Sequence, residues 1–232
     1  MSKHHTPDLH DHYTLAKMEV LTWLGKRMLP QGHWAGHYEN NGEHPRLYLT
    51  YDDGPHPDTT PQLIDLLASE NISATFFLIG THVQKYPDLV RQLADAGHTI
   101  ANHTQHHEFM PMLTNRRIEA EIEEANQAIF EACGQKPKLF RAPYGVLDAR
   151  VADCLKEHQM QTVYWSCVSE DWLPLGHNRV VSRITQKLHD GALIVLHEKW
   201  FPHQTIEATR GVINFAKKAG YQFAPVNASL AS

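Results

Sequence analysis

Cysteine is scarce in this chain: there are three in 232 residues. Cys133, Cys154 and Cys167 form no CxxC pair or other metal-binding spacing. An odd count at this length argues against a disulfide framework and leaves three reduced, partly buried thiols. Positive charge is also short. Lys and Arg number 21 against 26 Asp and Glu, for a net charge of −5. No basic tract stands out, so nucleic acid is not an expected partner, and a neutral or weakly charged substrate fits better. No apolar run is long enough to span a bilayer. Residues 1–12 lack the apolar core and small-residue cleavage site of a secretory signal, so cytoplasmic residence is the default expectation.

Histidine, by contrast, is abundant, with 18 residues, and a hydrophobic fraction of 42% suffices for a sizeable core. His4, His5, His10 and His12 belong to a polar arm that reads as solvated, with metal scavenging as the sharper alternative. In residues 13–29, Leu15, Met18, Leu21, Leu24 and Met28 fall near helical spacing. That stripe suits a helix packed on the main domain, with contact to a membrane surface or a partner as alternatives. Residues 30–45 read as a loop. The chain thus divides into an N-terminal arm and helix, 1–45, and one main domain, 46–232.

From residue 46, strand-like and helix-like runs alternate. The strand-like runs are 47–51, 74–79, 98–101, 138–140, 162–165, 192–196 and 221–224. Thr60 is expected to cap a helix with Pro61 at its first position. Pro87 opens another, which Gly97 ends. Thr114 begins a longer one that Gly134 stops, and Asp148 and Asn178 cap two more. The last runs from Ile206 to Lys218. Such alternation predicts a mostly parallel sheet, open or closed into a barrel. Polar residues follow the strands: Asp52 and Asp53 the first, His103 the third, Arg141 the fourth, Asp171 the fifth and His197 the sixth. In a parallel barrel those ends share one mouth.

The chemistry lies in these end residues. Asp52 and Asp53 are adjacent anions, which calls for a metal ion or an arginine beside them. His103-Thr104-Gln105-His106-His107 offers histidines at i and i+4, which on a helical turn project from one face. With Asp53, His103 and His107 make two nitrogens and one oxygen and leave positions open, as in a catalytic zinc site. His106 is a rival ligand. Asp52 is then free to act as base, and His197 can protonate a leaving group. Arg141 can hold Asp52 by a charge-assisted pair. Asp171 can orient His197. Val195, two residues before His197 on a strand, shares its face, and with Trp172 it can wall a pocket for a small acyl group.

These motifs resemble those of the NodB-homology polysaccharide deacetylases, carbohydrate esterase family 4. They occur in order as Thr50-Tyr51-Asp52-Asp53-Gly54-Pro55, His103-Thr104-Gln105-His106-His107, Arg141-Ala142-Pro143-Tyr144, Asp171-Trp172 and Leu196-His197. Flanking runs match too: Ala74-Thr75-Phe76-Phe77-Leu78-Ile79-Gly80 and Gly97-His98-Thr99-Ile100-Ala101-Asn102. The resemblance covers residues 46–226 and implies a distorted (β/α) barrel of about seven parallel strands, here with an N-terminal helical extension. It implies removal of N- or O-acetyl groups from sugars, with N-acetylated amino sugars as the first expectation. It also implies a divalent metal on Asp53, His103 and His107, usually zinc, with cobalt, nickel or manganese as substitutes. Asp52 would be the base, His197 the acid and Arg141 the support of Asp52. The backbone N–H of Tyr144 would bind the oxyanion, and Trp172 and Val195 would line the acetyl pocket.

The chain departs from the family pattern at several positions. Val168 stands where an Asp often tethers the catalytic histidine, which makes Asp171 the candidate substitute. Tyr51 replaces a commoner Phe, Val195 a common Leu, and Glu198 an Asp. Two other readings fit the same residues. One is a deformylase or an amide or imide hydrolase acting on a small or lipid-linked substrate. The other is a non-catalytic carbohydrate-binding protein on the same fold.

Overall fold

A computed structural model describes residues 44–227. The arm and the helix expected at 13–29 lie outside them. Strand β1, Arg46–Gly54, is the spine of the fold. Its run Leu47-Tyr48-Leu49 is apolar without alternation, as expected of a strand covered on both faces. The two faces still differ. Leu47, Leu49 and Tyr51 join the outer core, where the helices pack. Tyr48 joins an inner cluster with Phe77, Ala101, Leu139, Val163, Leu193 and Val226. The two-residue period of a strand therefore puts Thr50 and Asp52 on the inner face.

The other strands are β2 (Thr75–Leu78), β3 (Thr99–Asn102), β4 (Leu139–Phe140), β5 (Gln161–Thr162), β6 (Cys167–Val168), β7 (Ala192–His197) and β8 (Gln222–Phe223). They pair in the order β5-β4-β3-β2-β1-β7-β6, with β8 also on β1. Every ladder is parallel. The sheet curls into a half-barrel with helices around it, and among the described residues the ladder does not close between β5 and β6. This is the expected distorted (β/α) barrel.

The helices are α1 (Thr60–Ser69), α2 (Gly80–Lys85), α3 (Pro87–Asp95), α4 (Asn115–Cys133), α5 (Ala149–Glu157), α6 (His177–Thr185) and α7 (Pro202–Lys218). Thr114 caps α4 by accepting the Arg117 N–H, and Gly134 ends that helix in the left-handed conformation, both as expected. Asp148 caps α5. None of the described helices is long and apolar enough to cross a membrane.

Several local expectations need correction. Thr60 is the first residue of α1, not its cap, and its hydroxyl donates instead to Glu198 Oε2. Asn178 lies inside α6, whose N-cap is Gly176, held at a positive φ of 78°. Gln204 Oε1 pins that residue through the Gly176 N–H at 2.6 Å. Helix α7 begins at Pro202, four residues before Ile206, because proline suits a first helical turn. The expected strand at 162–165 shrinks to β5, and β6 adds a strand no sequence signal marked, so Asp171 follows the sixth strand and His197 ends the seventh.

The register of β1 carries an irregularity that matters below. Asp52 pairs with Phe77 on β2, yet Gly54 pairs with the very next residue, Leu78. Asp53 is thus an extra residue in the ladder, a bulge, with φ at 67°. Gly54, beside it, has no room for a side chain: a Cβ there would lie 1.8 Å from Glu198 Oε1. Glu198 is fully buried and cannot swing to solvent. Gly54→Ala should therefore lower stability by about 1–3 kcal/mol through overpacking. Thermal unfolding checks this, and combining it with the shorter Glu198→Asp should restore part of the loss. An unchanged melting temperature for the single variant would rule the steric account out.

Candidate active site

The site assembles at the carboxyl ends of the parallel strands. Asp52 ends the inner row of β1, level with His197 at the end of β7. Arg141, one residue past β4, reaches it across the barrel. Its Nη1 donates to Asp52 Oδ1 at 2.6 Å and to Thr50 Oγ1 at 2.8 Å. Its other nitrogens donate to the carbonyls of Val163 and Tyr164, and the guanidinium lies 4.0 Å from the centre of the Phe77 ring. Arginine is fully buried here, which is tolerable because its charge is paired and each of its nitrogens donates a hydrogen bond. The arrangement occupies Asp52 Oδ1 and leaves Oδ2 for other work.

Asp53, His103 and His107 come together as the sequence suggested. One ligand atom from each lies within 4.8 Å of the others. His103 Nε2 is 3.6 Å from Asp53 Oδ1, and His107 Nε2 is 3.4 Å from it. Asp53 Oδ1 is buried and has no hydrogen-bond partner among the described residues. An orphaned buried carboxylate oxygen facing two imidazole nitrogens fits a divalent cation. His103 Nδ1 donates to the Arg141 carbonyl at 2.7 Å, which leaves Nε2 as its ligating atom. Burial pushes His103 down to about 3 and lowers His107 as well, in both cases against the pull of Asp53. Both rings are thus held in the neutral form a metal needs.

The histidine motif is not on a helical turn. Residues 103–107 form a bend in which Thr104 and His107 take positive φ, 66° and 60°. Asn102 Oδ1 accepts the Thr104 N–H, and Thr104 Oγ1 accepts the His107 N–H. These local bonds, not helical periodicity, bring the two rings together. His106 is not a rival ligand: its N–H and Nδ1 both go to the buried Glu121 of α4, at 2.8 and 2.7 Å. His106, Glu108 and Glu121 could in principle hold an ion of their own, but Arg117 Nη2 already sits among them, 2.7 Å from Glu121 and 2.9 Å from Glu108.

Across the cleft, Asp171 accepts twice from His197, from its backbone N–H at 2.7 Å and from Nδ1 at 3.0 Å. Burial alone would discourage charge on His197. Asp171 outweighs it by charge and hydrogen bond, Asp52 and Asp53 add to the effect, and the imidazole is raised to about 9. Val168 therefore leaves no gap, because Asp171 holds the histidine from three residues further on. Sequence reasoning missed what fixes Asp171. Gln204, two residues into α7, donates to the Asp171 carbonyl at 2.7 Å and to that of Leu173 at 2.9 Å.

Asp52, Asp53, His103, His107 and His197 line one cleft of about 520 Å³, which also takes in Tyr144, Trp172 and Val195, while Arg141 and Asp171 stand buried behind the residues they hold. Val195 and His197 do share a face. The Trp172 ring stands edge-on to His197, 5.1 Å between centres. Tyr144 takes φ of 59° in a 3-10 turn, and its ring lies 4.9 Å from that of His107. Trp165, Lys199 and Trp200 also line the cleft and were not anticipated. The last two follow Leu196-His197 closely enough that the motif itself was the available signal. His82 was missed as well: its Nδ1 donates to the Asp53 carbonyl at 2.9 Å and steadies the bulge.

A family profile described as polysaccharide deacetylase matches residues 39–163. The chain is 33% identical over 193 residues to a chitooligosaccharide deacetylase of Bradyrhizobium sp. (strain ANU 289), covering 78% of this chain and 88% of that one. It is 34% identical over 207 residues to a peptidoglycan-N-acetylglucosamine deacetylase of Bacillus cereus, covering 88% and 96% respectively. Among solved structures, a peptidoglycan N-acetylglucosamine deacetylase in complex with a substituted benzamide matches with a TM-score of 0.79. The two share 26% identity over 84% of this chain and 91% of that one.

Proposed function

This chain belongs to the polysaccharide deacetylase family, and on that ground we propose that it hydrolyses the acetamido group of N-acetylated amino sugars in a metal-dependent reaction. The observation that carries the reading is one cleft holding three things together. They are the Asp53–His103–His107 set with its orphaned oxygen, the Arg141-held Asp52 and the Asp171-held His197. Relatives that deacetylate chitooligosaccharide and peptidoglycan support the choice of an amino sugar.

Asp53, His103 and His107 would hold the divalent cation, zinc in the first instance. When bound, the cation supplies Lewis-acid polarisation of the acyl carbonyl and a lower pKa for the attacking water. The chain's own residues do the rest. Asp52 Oδ2 takes the proton as the water oxygen bonds to the acyl carbon. The Tyr144 N–H would bind the developing oxyanion. His197 has Nδ1 committed to Asp171, so Nε2 delivers the proton to the amine nitrogen as the C–N bond breaks. Acetate and the free amine leave. Trp172 and Val195 confine the acetyl methyl.

Purified protein should release acetate from N-acetylglucosamine oligomers, lose that activity on chelation and regain it on zinc addition. Undiminished release after the metal is stripped would end the metal-dependent reading. No release by the zinc-loaded protein from any oligomer would end the amino-sugar reading.

A further inference from the structure

The proposed proton donor leans on Asp171, and Asp171 stands where the sheet gives it no support. Strand β6 ends at Val168, which pairs with Val195 on β7. A carboxylate at position 168 would be held by that ladder, beside the strand that ends in His197. Asp171 comes three residues later, in a loop beyond the strand. Glu170, directly before it, takes φ of 58°, a left-handed conformation that a residue with a Cβ does not favour. Such a loop keeps its shape only when its surroundings hold it.

Arg183 of α6 does the holding. It is 3% exposed, and its Nη1 donates to the Ser169 carbonyl at 3.1 Å and to Glu170 Oε2 at 2.7 Å. Its two acceptors belong to the two residues before Asp171. One bond fixes the peptide that leaves β6, and the other fixes the side chain of the left-handed residue. Gln204 of α7 holds the other side through the Asp171 and Leu173 carbonyls. The loop is thus clamped from two helices, with the buried Asp171 carboxylate turned onto the His197 N–H and Nδ1. A buried ion pair adds little net stability over an apolar substitute, so the consequence of this one lies in geometry.

We infer that Arg183 is a positioning residue for proton donation: acting through Ser169 and Glu170, it keeps the Asp171 carboxylate on the His197 imidazole. This rests on the reading of His197 as the proton donor and names what secures its partner.

Charge and position act in opposite directions here. Loss of the Arg183 guanidinium removes a cation and leaves Glu170 uncompensated. Both effects favour the protonated imidazole and would move its titration to higher pH. If Asp171 drifts off His197, the imidazole loses its nearest anion, and its titration moves to lower pH. The other groups near His197 are Asp52 and Asp53 at the end of β1, His107 in the bend at 103–107, the buried Glu198 next in sequence and Lys199 in the same cleft. No substitution below touches them.

Arg183→Met removes both bonds. The double variant Arg183→Met, Glu170→Gln removes them without leaving a buried charge unpaired, and serves if the single variant does not fold. Zinc-loaded proteins are compared by two readouts. In the pH–rate profile for acetate release from N-acetylglucosamine oligomers, the alkaline limb should move to lower pH by about half a unit or more. At the plateau kcat should fall about tenfold, within the ~10²-fold that a misplacement of one ångström can cost, with KM and zinc affinity unchanged. Arg183→Lys, which keeps a cationic donor at that place, should recover most of both. The second readout is an NMR titration of the His197 imidazole in histidine-labelled protein, its signal assigned by its loss in His197→Gln. It reads the same shift without any turnover. A downward shift in the variants beside a wild type that releases no acetate would uphold the inference while ending the amino-sugar reading. A His197 titration that stays in place or moves to higher pH in a folded variant would overturn the inference.

Discussion

Asp52→Asn should lower kcat by roughly 10²–10⁴-fold, the usual contribution of a positioned general base, while the protein still takes up one equivalent of metal. The two halves of that statement come from different atoms. Metal uptake is proposed for Asp53, His103 and His107, which could hold an ion together and which the substitution leaves in place. Proton removal is proposed for Asp52 Oδ2, because Oδ1 is bound to Arg141 at 2.6 Å. An asparagine can offer Arg141 its amide oxygen but has no basic atom left for water. The exchange also leaves the buried guanidinium without a counter-charge, for which several kcal/mol of stability loss is expected. Arg141 keeps its bonds to Thr50 and to the Val163 and Tyr164 carbonyls, so the domain should still fold at moderate temperature. Turnover is therefore compared on protein whose circular dichroism and metal content match wild type. A folded, metal-loaded Asp52→Asn within tenfold of wild type would remove Asp52 as the base.

Replacing Asp171 with Asn should move the alkaline limb of the pH–rate profile to lower pH by about one unit or more. The sign follows from the role proposed for His197. As the proton donor it must be protonated, so the rate falls as pH rises through its pKa. Burial pushes that pKa down and Asp171 pushes it up, with a net rise to about 9. Without the Asp171 charge, burial is less opposed and His197 gives up its proton at lower pH. A bound cation nearby would also favour the neutral ring, but it acts on wild type and variant alike, so the difference survives. The acidic limb, which does not depend on His197 losing its proton, should stay in place. A variant whose two limbs are unmoved, with only kcat reduced, would mean that Asp171 orients the ring without tuning it.

Much of this site is legible in the chain because parallel strands gather their ends. Asp52, His103, Arg141 and His197 lie far apart in sequence, yet each stands at or just beyond the end of an apolar run, and the fold turns that position into proximity. What could not be read was of two kinds. Some elements are too short to leave a pattern: β6 is two residues, Cys167 and Val168, and exists because β7 offers Ile194 and Val195 as ladder partners. Other features depend on partners far along the chain. Thr60 looked like a cap because nothing local shows that Glu198 will claim its hydroxyl. The bend at 103–107 has the spacing of a helix but not its backbone, since Thr104 and His107 have positive φ, which hydrophobic periodicity does not reveal.

The extra residue at the end of β1 separates two kinds of backbone. Neighbouring side chains on a regular strand look in opposite directions, so a pair of adjacent aspartates would ordinarily serve two different compartments. Here Asp52 keeps step with the sheet and inherits its stiffness, held between β2, β7 and Arg141. Asp53 has stepped out of the ladder, and its carbonyl is tied instead to His82 on α2. A proton acceptor benefits from a fixed frame, whereas a ligand must settle around an ion whose size and preferred distances vary. With one residue inserted in a strand, the fold gives each carboxylate its own mechanical footing while both address the same few cubic ångströms.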